Sequence, residues 1–538
     1  MSFKSAVKKF ETKTTKTEKG AITLSAVDDP LVAFFYRTVR GIDSTRLIKL
    51  FKDPFIFNPI GALRLLMYTR DTRGGKGERD IFKTCYQWLI TQFGKSDMLI
   101  MLTKNMVQFG RWEDLLNFCF ETNMEDLACE IFATQLKKDK VDMEANELCS
   151  LAGKWAPTEK CAHDRKHHSC LKIARLLYPD NPKTRLKRYR KEYLVPLRAH
   201  IRVIEPQLCA NKWGEIEYSK VPSCAMNKYR HAFENHDLIR FEKYIENVRK
   251  GETDIKASQI YPYQLVHTYL SKFMRRYGSR PIEQVDDVIE VQWDQLVKDL
   301  KASGTLKNAL AMADVSGSMF GSEPISPIYN SIALSILFAQ TSQGGFENLI
   351  LTFSERPEFI DCSADTLRGR ITKTRSANWG MTTNIQNAFE LILNVAITQK
   401  VSQDNMVKHL FIFSDMQFDE ANRKYSTNFE ELKRKFNEAG YDLPIVIFWN
   451  LASRTIDFPT KSDQENVFLV SGFSPAIMKA IIETGTPNPV HLIQQIIDDP
   501  KYSCITLDED IDLTPLTDDE WADPVDEWEP MHSDNEIW

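Results

Sequence analysis

The chain reads as two unlike halves, an α-helical run to about residue 300 followed by a doubly wound α/β domain over about residues 301–503. Three observations predict this. Apolar residues recur at i, i+3 and i+4 through the first half, with almost no strand-like alternation. In the second half, short apolar runs alternate with helical patterns, the rhythm of an open and mostly parallel sheet. The length of 538 residues at ordinary apolar content is enough for two or three domains with sizeable cores.

Residues 1–26 read as a flexible basic segment, and Met1 to Gly20 lacks the apolar stretch of a secretory signal. Residues 27–300 carry helical patterns such as Ile60 to Thr69, Ile81 to Phe93 and Met98 to Phe109, broken by short turns with Gly, Asp or Pro. Those lengths suit antiparallel pairs stacked as a HEAT-like α-solenoid, although no clean forty-residue period stands out. Beyond residue 300, strands are predicted near Leu306 to Ala313, Leu349 to Phe353, His409 to Phe413, Ile445 to Trp449 and Asn466 to Ser471. Helices are predicted over Ile328 to Thr341, Ile385 to Ile397, Phe429 to Ala439 and Pro475 to Thr484. Residues 504–538 form an acidic tail from Asp508 to Glu529, interleaved with Trp521, Trp528 and Trp538 and expected to be flexible. The tail serves as a solubiliser, as a competitor for the basic residues, or as a carboxylate donor.

No stretch is long and apolar enough to span a bilayer, so membrane partners are not expected. Ten cysteines are scattered singly without a framework spacing, which suits reduced thiols inside a cell. The expected location is the cytoplasm, or a virion if the chain is viral.

Ala311-Met312-Ala313-Asp314-Val315-Ser316-Gly317-Ser318 places one carboxylate and two hydroxyls just past an apolar strand. Hard divalent cations take oxygen ligands, and Mg²⁺ needs few from protein because it keeps several waters. Downstream, Gly380-Met381-Thr382-Thr383-Asn384 opens a helical stretch, and the run from Val407 to Ser414 ends at Asp415. In an open parallel sheet ligands bind beyond the carboxyl ends of the strands, where Asp314 and Asp415 both emerge. Serine and glycine after a strand also make turns and caps. Asp-x-Ser-x-Ser, then Thr, then a strand-end Asp resembles the metal-ion-dependent adhesion site (MIDAS) of von Willebrand factor A domains. The resemblance implies Mg²⁺ (or Mn²⁺) touched by Ser316, Ser318 and Thr383 and held through waters by Asp314 and Asp415, with Thr382 competing for the third place. It also implies a non-enzymatic site that captures the acidic side chain of a protein partner.

In the helical half, Arg70-Asp71-Thr72-Arg73-Gly74-Gly75-Lys76-Gly77-Glu78-Arg79 is a glycine-rich loop with four cations, Arg70, Arg73, Lys76 and Arg79. It reads either as a phosphate-holding loop or as a turn whose glycines supply positive φ. It is not a Walker A loop, because no Gly-Lys-Ser/Thr closes it. This loop, with Gly110-Arg111-Trp112-Glu113-Asp114-Leu115, Leu151 to Pro157 and Val221-Pro222-Ser223, is similar to the family labelled domain of unknown function 2828. That family is similar in layout to the Ro autoantigen, whose TROVE module joins a ring of helical repeats to a von Willebrand A domain. The segment Ile255 to Leu265 looks like the piece that ends the Ro ring. The resemblance implies RNA, single-stranded or structured and small, as partner.

The residues support that expectation on their own. Net charge is −5, yet from Lys160 to Arg202 basic residues, among them Arg185, Lys187, Arg188, Arg190 and Lys191, face few acids. Such a stripe, interleaved with Tyr178, Tyr189 and Tyr193, can track a phosphate backbone while the rings stack on bases; it also reads as a solvated helix face. Cys161, His163, His167, His168 and Cys170 offer zinc-type ligands in a spacing unlike any standard finger. No Gly-x-Ser-x-Gly elbow or recognisable catalytic cysteine is present, so no enzyme is expected. Two readings follow: a Ro-like ribonucleoprotein component that holds RNA on its basic helices, or an adaptor that captures a partner's carboxylate through the metal site.

Overall fold

The computed structural model describes residues 14–16, 22–24, 27–274, 285–304, 306–320, 325–353, 356–375, 385–418, 428–455, 457–461, 463–477, 481, 488–507, 513 and 516. Helices α1 (Pro30–Arg37), α2 (Ser44–Phe57), α3 (Pro59–Arg70), α4 (Arg79–Phe93), α5 (Asp97–Phe109), α6 (Trp112–Cys119) and α7 (Glu125–Glu144) follow one another. Each packs on near neighbours in the chain, as repeat helices do. The first three start on side-chain caps: Asp29, Asp43 and Asn58 accept from amides of the opening turns that lack helical partners.

Shorter helices follow, α8 (Ser169–Leu177) and α9 (Arg185–Tyr189), which runs through a π-helical turn at Arg190–Leu194 into α10 (Val195–His200). Then come α11 (Ser223–Arg249), interrupted at Asp237, α12 (Pro262–Met274) and α13 (Asp287–Ser303).

The α/β half begins with β3 (Ala309–Asp314), after an N-terminal pair β1 (Thr14–Lys16) and β2 (Ile22–Leu24). It continues through α14 (Pro327–Thr341), β4 (Leu349–Phe353), β5 (Phe359–Asp361), α15 (Leu367–Arg375), α16 (Ile385–Thr398), β6 (His409–Ser414), α17 (Asn428–Glu438), β7 (Ile445–Asn450), β8 (Val467–Ser471) and α18 (Pro489–Asp498). The sheet order is β5-β4-β3-β6-β7-β8, parallel except for the edge strand β5. Strand order therefore reverses between β3 and β6, and the crevice beyond their carboxyl ends is the switch point of the fold. The central strands are near-continuous apolar runs because helices cover both faces.

Two expectations change, and one helix is new. Part of the N-terminal segment read as flexible is ordered: β1 and β2 pair antiparallel, and Leu24 exchanges backbone hydrogen bonds with Phe458. The tail does not leave the fold at residue 504, because Ile505 and Leu516 are buried and Leu513 packs on the core. Its remaining acidic residues lie outside the described ones. The helix expected over Pro475 to Thr484 is largely outside them as well, while α18 supplies a helix the sequence reading did not anticipate.

One apolar core runs from Leu24 and Phe34 through Trp293 to Trp449 and Ile497, so the two halves are fused. Helix α1 lies against β8, and α18 packs on both α3 and β8. A separate cluster around Phe233, Phe241, Tyr218 and Val291 forms a second core within the helical half. Among the described residues no helix is long and apolar enough to cross a membrane.

Candidate functional site

Asp314 ends β3 and Asp415 follows β6, so adjacent parallel strands deliver both carboxylates to the switch-point crevice, each fully buried. The Asp314 carboxylate is fixed from two sides: the Ser316 amide donates to Oδ1 at 2.9 Å and the Ser414 hydroxyl donates to Oδ2 at 2.5 Å. Ser316 Oγ and Ser318 Oγ lie 3.0 Å apart in the turn that follows. Asp415 Oδ1 accepts from the Gln417 amide at 3.2 Å. Its Oδ2 accepts from Arg454 Nη2 at 2.5 Å, and the same nitrogen reaches the Ser318 carbonyl at 2.5 Å. Burial, and then the neighbouring Asp415 charge, push the Asp314 carboxyl well above the usual carboxylate range. Met416, a non-glycine residue at φ 64°, turns the chain here, its amide held by Ser414 Oγ at 3.0 Å.

The structure thus brings together Asp314, Ser316, Ser318 and Asp415, while Thr383 and Thr382 lie outside the described residues. Two dehydrated carboxylates with two hydroxyls make an all-oxygen donor set, which fits a hard divalent cation. A cation there also relieves the repulsion that raises Asp314. Sequence reasoning missed Ser414 and Arg454. Ser414 was visible as a hydroxyl beside Asp415, but nothing in the sequence marks Arg454.

The glycine-rich loop between α3 and α4 divides its cations, and two of the four RNA-contact expectations are corrected. Arg70 is buried and its guanidinium pairs with the buried Asp114 at 2.6 Å. Lys76 is buried beneath α1, where Nζ donates to the Phe35 carbonyl, to Ser471 Oγ at 2.7 Å and to the Thr38 carbonyl at 3.3 Å. Burial pushes that amine down to about 7. Neither side chain is available to a phosphate. Arg73 is exposed and Arg79 half-exposed. The glycines answer to geometry: a Cβ on Gly75 would stand 2.0 Å from the Tyr68 carbonyl, and Gly77 sits at φ +69° beside the Tyr261 hydroxyl.

The basic stripe is corrected too. Tyr178, Tyr189 and Tyr193 are buried, with Tyr178 Oη donating to Glu192 and Tyr189 Oη to the Pro157 carbonyl, so none offers a ring to a base. Arg188 is held by Glu192 at 2.8 Å and lies over the Tyr178 ring. Arg185 is half-buried and donates to the Pro179 carbonyl. Lys187, Arg190 and Lys191 are exposed where α9 passes into the π-helical turn.

In the Cys/His segment Cys170 is buried, Cys161, His163 and His167 are half-buried and His168 is exposed. His163 uses both ring nitrogens, on Ser169 Oγ and the Leu116 carbonyl, and buried Cys170 donates to the Pro157 carbonyl. Among the described residues no group of three or more His, Cys, Asp or Glu side chains could hold a metal.

The profile described as Domain of unknown function (DUF2828) matches residues 17–130 and 122–306, and a second, Domain of unknown function (DUF7788), matches residues 308–506. The seam between them falls where α13 gives way to β3. Uncharacterized protein L728 of Acanthamoeba polyphaga mimivirus is 30% identical over 543 residues, covering 94% of this chain and 91% of that protein. Among solved structures, the Deinococcus radiodurans RO (RSR) protein matches 90% of this chain and 95% of its own, with 14% identity and a TM-score of 0.34.

Proposed function

The chain belongs to the DUF2828 family, and from that premise we propose that it binds single-stranded RNA on the outer face of its helical half, without catalysis. One observation carries the reading. Arg165, Arg175, Lys183, Lys187, Arg190 and Lys191 all stand exposed, and none has an ion-pair partner among the described residues. Unpaired cations gathered along one stretch of chain keep their charge for an external polyanion, because no internal carboxylate competes with it. Since the tyrosines of this stretch are buried, the contact is to phosphates rather than to bases, and it favours the backbone over the sequence.

The test is RNA affinity against salt. Each phosphate neutralised on a single strand contributes about 0.7 to the slope of log K against log salt, so Lys187→Ala/Arg190→Ala/Lys191→Ala should flatten it by about 2. An unchanged affinity and slope in a folded variant overturns the reading.

A second reading has its own observation, the convergence of Asp314 and Asp415 at the sheet's switch point. Asp314, Ser316, Ser318 and Asp415, with Thr383 as a further candidate, would hold Mg²⁺ or Mn²⁺, and the cation would supply positive charge for an acidic side chain of a protein partner. A ligand that prefers the folded state raises its melting temperature, by about 2.7 kcal/mol of stability at a hundred times its Kd. Asp314→Ala should abolish that rise, and a rise that persists places the ion elsewhere.

A further inference from the structure

Two neighbouring cavities, of about 400 Å³ and about 670 Å³, share a wall made of Thr72, Arg73, Arg111 and Gln259. Their linings differ in chemistry. The smaller is lined by Arg73, Arg79 and Arg111, together with Ser258, Ser474 and one exposed acid, Asp299. Arg111 has no ion pair among the described residues, and Arg79 reaches Glu113 and Asp114 only at 3.5 Å. Arg73 uses one nitrogen on the Gln108 carbonyl at 2.8 Å, which aims the guanidinium without neutralising it. Three guanidinium groups with hydroxyl donors form a wall for a phosphate group.

The larger cavity is lined by Trp155 and Tyr229, both half-buried, with Lys154 and Lys228 beside their rings. It also contains Glu205, whose Oε2 is buried with no hydrogen-bond partner. A buried carboxylate oxygen lacking a donor is costly unless a ligand brings one. Exocyclic amino groups of adenine, cytosine and guanine are such donors, and uracil has none. Aromatic rings serve any base by stacking.

We propose that this paired cavity binds a nucleoside phosphate, with the phosphate on the Arg73, Arg79 and Arg111 wall and an amino-bearing base in the Trp155 and Tyr229 cavity. The combined volume suits a ligand of that size. The nucleotide is either free or the phosphorylated end of a strand, since the chemistry is the same. The site stands apart from the Lys187, Arg190 and Lys191 ridge and does not depend on it.

The experiment measures equilibrium binding of the full chain to AMP, CMP, GMP, UMP and inorganic phosphate, and to octanucleotides with and without a 5′-phosphate. Arg73→Ala/Arg111→Ala should weaken binding at least tenfold, while Lys187→Ala/Arg190→Ala/Lys191→Ala leaves mononucleotide binding unchanged. Trp155→Leu should weaken nucleotides but not inorganic phosphate, and Glu205→Ala should narrow the preference against UMP. Binding of free mononucleotides identifies the soluble ligand; binding confined to 5′-phosphorylated strands identifies a strand end. The proposal is overturned if neither binds, if phosphate alone binds as tightly as nucleotides, or if a folded Arg73→Ala/Arg111→Ala variant binds like the parent.

Discussion

Lys76→Met tests whether a buried amine fastens the glycine-rich loop to the sheet. The side chains are similar in length, so the substitution removes the amine with little change in packing volume. In the folded protein burial holds the amine at about 7, against an ordinary value of 10.5. The acceptors Phe35 O, Thr38 O and Ser471 Oγ, with the Phe35 ring 4.1 Å away, favour the ammonium and oppose that depression. Below pH 7 both folded and unfolded chains carry the proton, so the stability difference between parent and variant is flat. Between 7 and 10.5 the unfolded chain binds a proton that the folded chain has lost, so stability rises with pH by about 1.4 kcal/mol per unit. The whole gain is at most about 4–5 kcal/mol, less whatever the acceptors recover. Urea unfolding of parent and Lys76→Met from pH 6 to pH 10 cancels the other groups in the difference. A difference flat to about 0.5 kcal/mol across pH 7–10 would refute a depressed amine at this position.

Three further outcomes follow from individual ion pairs. Arg188→Ala, which removes a cation already bound to Glu192, should change RNA affinity less than twofold where the ridge triple variant changes the salt slope; equal effects would mean that Arg188 reaches the RNA. Arg454→Met, by clearing a guanidinium from Asp415 Oδ2, should tighten Mg²⁺ binding about tenfold in a calorimetric titration; weaker binding would make Arg454 a support of the metal site rather than its competitor. Asp114→Ala leaves the buried Arg70 charge uncompensated and should cost about 3–5 kcal/mol in urea unfolding, and a loss below about 1 kcal/mol would show that water reaches the guanidinium.

The alternation of apolar strand and amphipathic helix was legible because each period is local, and so was the order Asp314, Ser316, Ser318, Asp415, since the fold delivers all four from strand ends and the turns after them. What could not be read depends on partners far along the chain. Ser414 orients a carboxylate 100 residues earlier, and Arg454 reaches Ser318 across 136. The loop's cations looked alike in sequence, and only the buried Asp114 and the carbonyls of α1 separate Arg70 and Lys76 from Arg73 and Arg79. The tyrosines were misread for a local reason: Tyr189 and Tyr193 stand four apart, so on one helical face they bury together while Lys187, Arg190 and Lys191 take the other.

That sorting gives the loop a second role. It is fastened to the α/β half at Lys76 to Ser471, and at Asp71, which accepts from Lys501 Nζ and from Tyr502 Oη at 2.9 Å. Glu78 adds a third tie through Arg40 at 2.9 Å, and Arg40 also lies over the Phe473 ring. Arg73 and Arg79, carried on the same ten residues, line the smaller cavity together with Ser474 and Pro475, and the inward cations fasten the loop that bears them. Lys76 touches no ligand in this arrangement, yet Lys76→Met should lower nucleotide affinity severalfold by letting the arginine wall move, with affinity of the ridge for RNA unchanged. Equal nucleotide affinity in parent and variant would show that the wall keeps its shape without the amine, and would leave Lys76 with a role in stability alone.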